Sequence, residues 1–238
     1  MNEDLLLQFN LESLVIKNNN NYTLKLKDIR FSLQTRQYVA GIVGESGIGK
    51  TTIYKSLFTT YVNFWKENST QFTFSCDHKI KNLELNQDSI LKGSIKPNIG
   101  FATQDPYFYY YKTVEENLFY PLNWLKINNF NKSQHLEKFS LNGFEKKKML
   151  ELSGGEKQIV NVARVFLSNP DMVIIDECFS NMDKKTAKKV FESIRMNYPE
   201  TIIFITSHRS SDVDEFCEVK IELNGVKDKN QHYITVKR

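Results

Sequence analysis

With 238 residues, 40% of them hydrophobic and 25% charged, the chain has the composition of a globular protein with one substantial core. Its net charge of +4 is too small for the dense basic stripe that nucleic-acid binding asks for. Cys76, Cys178 and Cys217 are odd in number and widely spaced, which argues against a disulfide framework or zinc site and suits a reducing compartment.

The first residues, MNEDLLLQF, carry acids where a secretory signal needs positive charge. Apolar runs such as MVII and IIFI fall far short of the ~18 residues that a membrane helix needs. A cytosolic chain is expected, with any membrane role exercised through a partner.

In chain order, LLLQFNLESLVI and YTLKLKDIRFSL alternate as strands on either side of an asparagine turn at Asn18–Asn21. YVAGIVG is a short apolar run of the kind found in a buried parallel strand. It leads into GESGIGKTT at 44–52, and KTTIYKSLFTTYVNFW follows with helical spacing. From about 105 to 150 the chain turns aromatic-rich, then lysine- and asparagine-rich, and mostly helical, with Thr113 and Glu116 offering a capping box. A helical subdomain inserted in an α/β core is expected there. Helix EKQIVNVARVFL, strand MVIID, helix KKTAKKVFESIRM and strand TIIFITSH then alternate as in a parallel sheet, and VKIELNG and HYITVKR close it. The whole chain, 1–238, reads as a single domain.

The 44–52 loop holds the chemistry of phosphate binding. Gly44, Gly47 and Gly49 permit the backbone turns that converge N–H groups on an anion, with Glu45, Ser46 and Ile48 between them. Lys50 reaches the terminal phosphates, the Thr51 hydroxyl is a Mg²⁺ ligand, and Thr52 continues into a helix whose positive end faces the anion. MVIIDE ends an apolar strand in two acids: Asp176 can hold Mg²⁺ and Glu177 can polarise an attacking water. TIIFITSH delivers His208 to the same kind of strand edge. In LSGGEKQ, Ser153 and Glu156 form a capping box, while Gly154 and Gly155 bare the first amides of a helix. That makes a second anion-binding terminus, which one nucleotide already cradled by 44–51 does not explain.

LSGGE followed by a strand ending in DE resembles the ATP-binding-cassette (ABC) ATPases, and the resemblance runs over essentially the whole chain. The motifs stand in family order: GESGIGKTT, Gln104 in ATQDP, LSGGE, MVIIDE, SNMD ending in Asp183, and His208. The resemblance implies a P-loop NTPase core of parallel sheet, an N-terminal antiparallel β subdomain and the helical insert. It implies ATP and Mg²⁺ as cofactors, with Thr51, Gln104 and Asp176 around the metal and Glu177, His208 and Lys50 as the catalytic set. It also implies a head-to-tail dimer, with an identical or related second ATPase, in which Ser153, Gly154, Gly155 and Glu156 cap the partner's ATP. The D-loop Asp183 belongs to that arrangement. Partners would be integral membrane transporter subunits, placing the chain peripherally on the cytoplasmic face of the membrane, and no nucleic acid.

The chain departs from the family at Cys178, where proline usually follows DE, at SNMD in place of SALD, and at Gln37 in place of glycine. Tyr22 is the candidate for stacking on adenine. PYFYYY at 106–111 cannot turn five aromatic rings into one core, so it is expected to help line the groove that receives a membrane subunit's coupling helix. TVEENLFYPL resembles the corresponding stretch of exporters, so export is the expected direction. The alternative is a non-transport ABC ATPase acting on nucleic acid or ribosomes. An unrelated P-loop kinase or GTPase would leave LSGGE unexplained.

Overall fold

The computed structural model describes residues 5–17, 23–34, 38–45, 48, 50, 74–80, 83–85, 98–207, 210–228 and 231–237. In chain order come β1 (Leu5–Lys17), β2 (Thr23–Gln34), β3 (Val39–Val43), β4 (Phe74–Ile80), β5 (Leu83–Leu85) and β6 (Ile99–Ala102). Helices α1 (Val114–Phe119), α2 (Pro121–Leu125), α3 (Lys132–Lys138) and α4 (Gly154–Val165) follow. Then come β7 (Met172–Asp176), α5 (Lys184–Asn197), β8 (Ile202–Ser207), α6 (Ser210–Phe216), β9 (Val219–Asp228) and β10 (Gln231–Lys237). The chain divides into two compact units, Met1–Pro97 with Cys217–Arg238, and Asn98–Phe216.

In the first unit the strand order is β5-β4-β1-β2-β10-β9-β3. The alternating segments do pair antiparallel as β1 and β2, with Phe9 opposite Phe31 and Leu11 opposite Ile29. β4 adds to the other side of β1, also antiparallel, and β5 pairs with β4. Neither of these was expected: Asp77, His78 and Lys79 dilute the apolar signal of β4, and β5 is three residues long. The C-terminal strands close the set, β10 running parallel to β2 and β9 parallel to β3. All five residues of β3 are buried, as its unbroken apolar run requires.

In the second unit β8, β7 and β6 run parallel. Every residue of β7 and β8 is buried, which is why both read as continuous apolar runs. Between the strands α4 and α5 are long and amphipathic, and Phe139, Phe166 and Tyr198 cluster beside them with ring centroids 4.6–6.5 Å apart. Burying each such ring contributes about 1.5–3 kcal/mol. Helix α4 lies hard against β6, because a Cβ on Gly100 would come within 2.1 Å of Val165 Cγ1. Only glycine permits that approach.

Residues 105–150 contain three short helices. Thr113 caps α1 in the expected box with Glu116, Pro121 restarts the chain as α2, and Lys126 ends it at φ 54°. Asn131 caps α3 by accepting from the Gln134 amide. Asn117, buried in α1, accepts from Tyr109 N–H and donates to the Tyr109 and Thr113 carbonyls, pinning the aromatic run to the helix.

Candidate functional site

The phosphate loop belongs to the first unit. Past the end of β3, Lys50 folds back so that Nζ donates to the carbonyls of Gly44 (2.7 Å) and Glu45 (3.1 Å). Ile48 N–H donates to the same Glu45 carbonyl, and its side chain is buried. A Cβ on Gly44 would stand 3.0 Å from both Ile48 Cγ2 and the Leu223 carbonyl. A largely buried ammonium is thus held by two backbone carbonyls, a donor that suits a polyphosphate. Ser46, Gly47, Gly49, Thr51, Thr52, His208, Tyr22 and Gln37 lie outside the described residues.

In the second unit β7 ends in Asp176 and Glu177, both buried. Asp176 stands opposite Thr206 in the β7–β8 pairing, and Thr206 Oγ1 donates to Asp176 Oδ1. Glu177 breaks the strand at φ 55°, its N–H donating to the Thr206 carbonyl and its Oε2 accepting from Ser180 Oγ at 2.9 Å. A left-handed conformation at a non-glycine residue costs about 1–3 kcal/mol and turns the side chain out of the strand's alternation. Ser180 Oγ also lies 3.4 Å from Ser207 Oγ at the end of β8. A hard carboxylate oxygen at a strand's carboxyl end is the donor type that Mg²⁺ takes. Gln104 stands just past β6 with an exposed side chain.

Helix α4 opens with the capping box expected from LSGGE. Glu156 N–H donates to Ser153 Oγ (3.2 Å) and Ser153 N–H donates to Glu156 Oε2 (2.7 Å), which holds the Glu156 carboxyl below its usual range. Ser153 and Gly154 are exposed, and a Cβ on Gly154 would meet nothing within 4 Å. Packing within this chain therefore does not require glycine there. At Gly155 a Cβ would approach the Asn181 carbonyl to 3.3 Å, so the start of α4 abuts the SNMD turn. Asp183, at the end of that turn, caps α5: its Oδ1 accepts from the Thr186 amide at 3.0 Å. Hydrogen bonding from the Thr186 side chain and amide lowers its carboxyl pKa.

Several residues to which the sequence analysis gives no role hold these pieces. Ser180 and Thr206 orient the two carboxylates, and Gln158 and Asn161 on α4 bond the backbone around Gln104. Their signal in the sequence was two amides interrupting the apolar stripe of EKQIVNVARVFL. Cys178, in the position of the usual proline, is buried, and burial pushes its thiol pKa up strongly.

In PYFYYY the rings part company. Phe108 is buried under the Arg164 guanidinium, whereas Tyr107 is 74% and Tyr111 83% exposed. Tyr109 packs edge-on against Tyr120 and, with Phe119, Ile127 and Phe130, lines a cleft of about 800 Å³ rimmed by Glu115 and Lys132. Among the described residues no helix is long and apolar enough to cross a membrane.

Residues 26–180 match the protein family described as ABC transporter. Over 210 residues, 84% of its length, the chain is 32% identical to the probable multidrug resistance ABC transporter ATP-binding/permease protein YheI of Bacillus subtilis, covering 34% of that protein. It is 33% identical over 187 residues (76% of its length) to the methionine import ATP-binding protein MetN 1 of Oceanobacillus iheyensis, covering 52% of it. The chain thus spans about a third of one relative and half of the other. Its fold is shared with the dimeric ABC transporter cassette MJ0796, at TM-score 0.67 and 21% identity, covering 91% of this chain and 94% of that one. With the ordered motifs and the carboxylate edge of β7 in place, the chain belongs to the ABC transporter family.

Proposed function

We propose that this protein is the motor subunit of a transporter, pairing head to tail with a second cassette around two Mg-ATP and working through separate membrane subunits. The observation that carries the reading is the start of α4: an exposed, capped helix terminus whose Gly154 has open space where a side chain would stand. Such a terminus suits the γ-phosphate of a nucleotide held by the opposite protomer. Bound Mg²⁺ would neutralise charge on the phosphates.

In this reading Thr51, Asp176 and Gln104 hold the metal, and the loop from Gly44 to Thr52 with Lys50 holds the phosphates. Glu177 takes up the water's proton or orients the water, its carboxylate kept in place by Ser180. His208 and Lys50 spread the charge that develops on the transferred phosphoryl group. Asp183 caps α5 at the point where the SNMD turn ends.

The membrane partner docks at the cleft of Tyr109, Phe119 and Tyr120, whose apolar floor and mixed-charge rim suit a short amphipathic helix. Export is the proposed direction, supported by Thr113–Leu122. The test is reconstitution with the cognate membrane subunits in sealed vesicles. Tyr109→Ala with Phe119→Ala should leave ATP binding intact and abolish the stimulation of hydrolysis by transported substrate. Stimulation that persists at wild-type strength would reject this docking site, and substrate accumulating on the ATP side would reverse the direction.

A further inference from the structure

Behind Gln104 lies a buried polar network. Helix α4 presents two carboxamides one turn apart, Gln158 at 5% and Asn161 at 2% exposure. Gln158 Nε2 donates to the Gln104 carbonyl at 2.8 Å, and Asn161 Nδ2 donates to the Thr103 carbonyl at 2.8 Å. Asn161 Nδ2 also donates to Gln158 Oε1 at 3.1 Å, so each amide fixes the orientation of the other. Cys178 closes the network from the β7 side, its Sγ lying 3.4 Å from the Ala102 carbonyl and 3.5 Å from Asn161 Nδ2.

Three successive carbonyls, those of residues 102–104, are thereby tied to side chains on two other elements. The side chains of Thr103, Gln104 and Asp105 are all exposed. A carbonyl left without its partner against this helix is unfavourable, so the segment has one low-energy setting against α4. The close approach that Gly100 permits keeps α4 within reach of it. The same helix begins at Ser153, and Cys178 directly follows Asp176 and Glu177. A backbone held this firmly beneath an exposed carboxamide is a mount for that carboxamide.

We infer that Gln158 and Asn161 are positioning residues that set where Gln104 presents its side-chain amide. The inference rests on the proposed role of Gln104 at Mg²⁺.

The test uses the full chain with Gln158→Met, which keeps the length of the side chain and removes the donor, alongside Gln104→Ala and the double variant. Asn161→Leu carries the same measurements should Gln158→Met fail to fold. Expected for Gln158→Met are a rise of about fivefold in the Mg²⁺ concentration for half-maximal hydrolysis, a similar fall in kcat, and unchanged nucleotide affinity without metal. In the nucleotide-free protein, amide hydrogen exchange in a peptide spanning 99–108 should be faster than in wild type. The double variant should be no worse than Gln104→Ala alone, since residues acting in series do not add.

Wild-type exchange and wild-type Mg²⁺ dependence in Gln158→Met, with Gln104→Ala impaired, would overturn the inference and leave the role of Gln104 standing. Losses that multiply in the double variant would also overturn it. Wild-type behaviour of Gln104→Ala would remove the role of Gln104 and, with it, anything to position.

Discussion

Ser180 Oγ donates a 2.9 Å hydrogen bond to Glu177 Oε2, three residues back across a turn that Glu177 itself opens at φ 55°. One carboxylate oxygen is thereby oriented while the backbone is held by the Thr206 carbonyl. Glu177→Gln removes the proposed proton acceptor and leaves the shape, so hydrolysis should fall by roughly 10²-fold or more with ATP binding retained. Ser180→Ala loses only the orienting bond and should cost about tenfold or less, read in single-turnover hydrolysis of radiolabelled ATP.

The contact between β6 and α4 gives a stability test independent of nucleotide. Gly100→Ala drives a methyl to 2.1 Å from Val165 Cγ1, and overpacking of that kind should cost about 1–3 kcal/mol in urea denaturation. Adding Val165→Ala should recover part of the loss, because it removes the atom that is struck.

His135 makes folding pH-dependent. Its ring is buried among Phe119, Phe130 and Phe139, and burial pushes its pKa down to about 4, with nearby Lys138 acting the same way. A bond to the Ala163 carbonyl opposes this only in part. The unfolded chain therefore binds the proton first: the contribution to stability is complete above about pH 6.5 and is lost as pH falls toward 4. Over that window the loss amounts to at most about 3 kcal/mol. His135→Gln should flatten the slope of unfolding free energy against pH there.

Cys178 should resist thiol reagents. Its sulfur is buried and its thiol is held protonated, first by burial and then by Asp176 beside it. Maleimide treatment of native protein at pH 7.5, mapped by mass spectrometry, should leave Cys178 unmodified until denaturant is added, while the half-exposed Cys217 labels.

How much of this was legible beforehand depends on how local each signal is. The capping boxes at Thr113–Glu116 and Ser153–Glu156 were readable because each is complete within four residues, and both are present. β3, β7 and β8 were readable because strands buried on both faces leave unbroken apolar runs. β6 was not: it is four residues, three half-buried and one buried, one of them a glycine that admits the close approach of α4. α6 was missed as well, seven residues of mostly polar sequence.

At the site, the carboxylates and the signature could be placed from order and spacing, but their supports could not. Asn161 meets the Thr103 carbonyl across 58 residues of chain, and Thr206 meets Asp176 across 30. Contacts of that range leave no periodicity to read. Asp183 stands out for its place in the family motif; its bond to Thr186 is a helix cap that the DKKT spacing also encodes.

The central claim, that ATP joins two cassettes through the Ser153 terminus of each, is tested most directly by analytical ultracentrifugation of the Glu177→Gln protein with its Ser153→Arg derivative as control. With Mg-ATP, Glu177→Gln should sediment as a dimer holding two nucleotides, and Ser153→Arg should return it to monomer while each chain still binds ATP. A protein that stays monomeric at saturating Mg-ATP, or a dimer indifferent to Ser153→Arg, would contradict the claim.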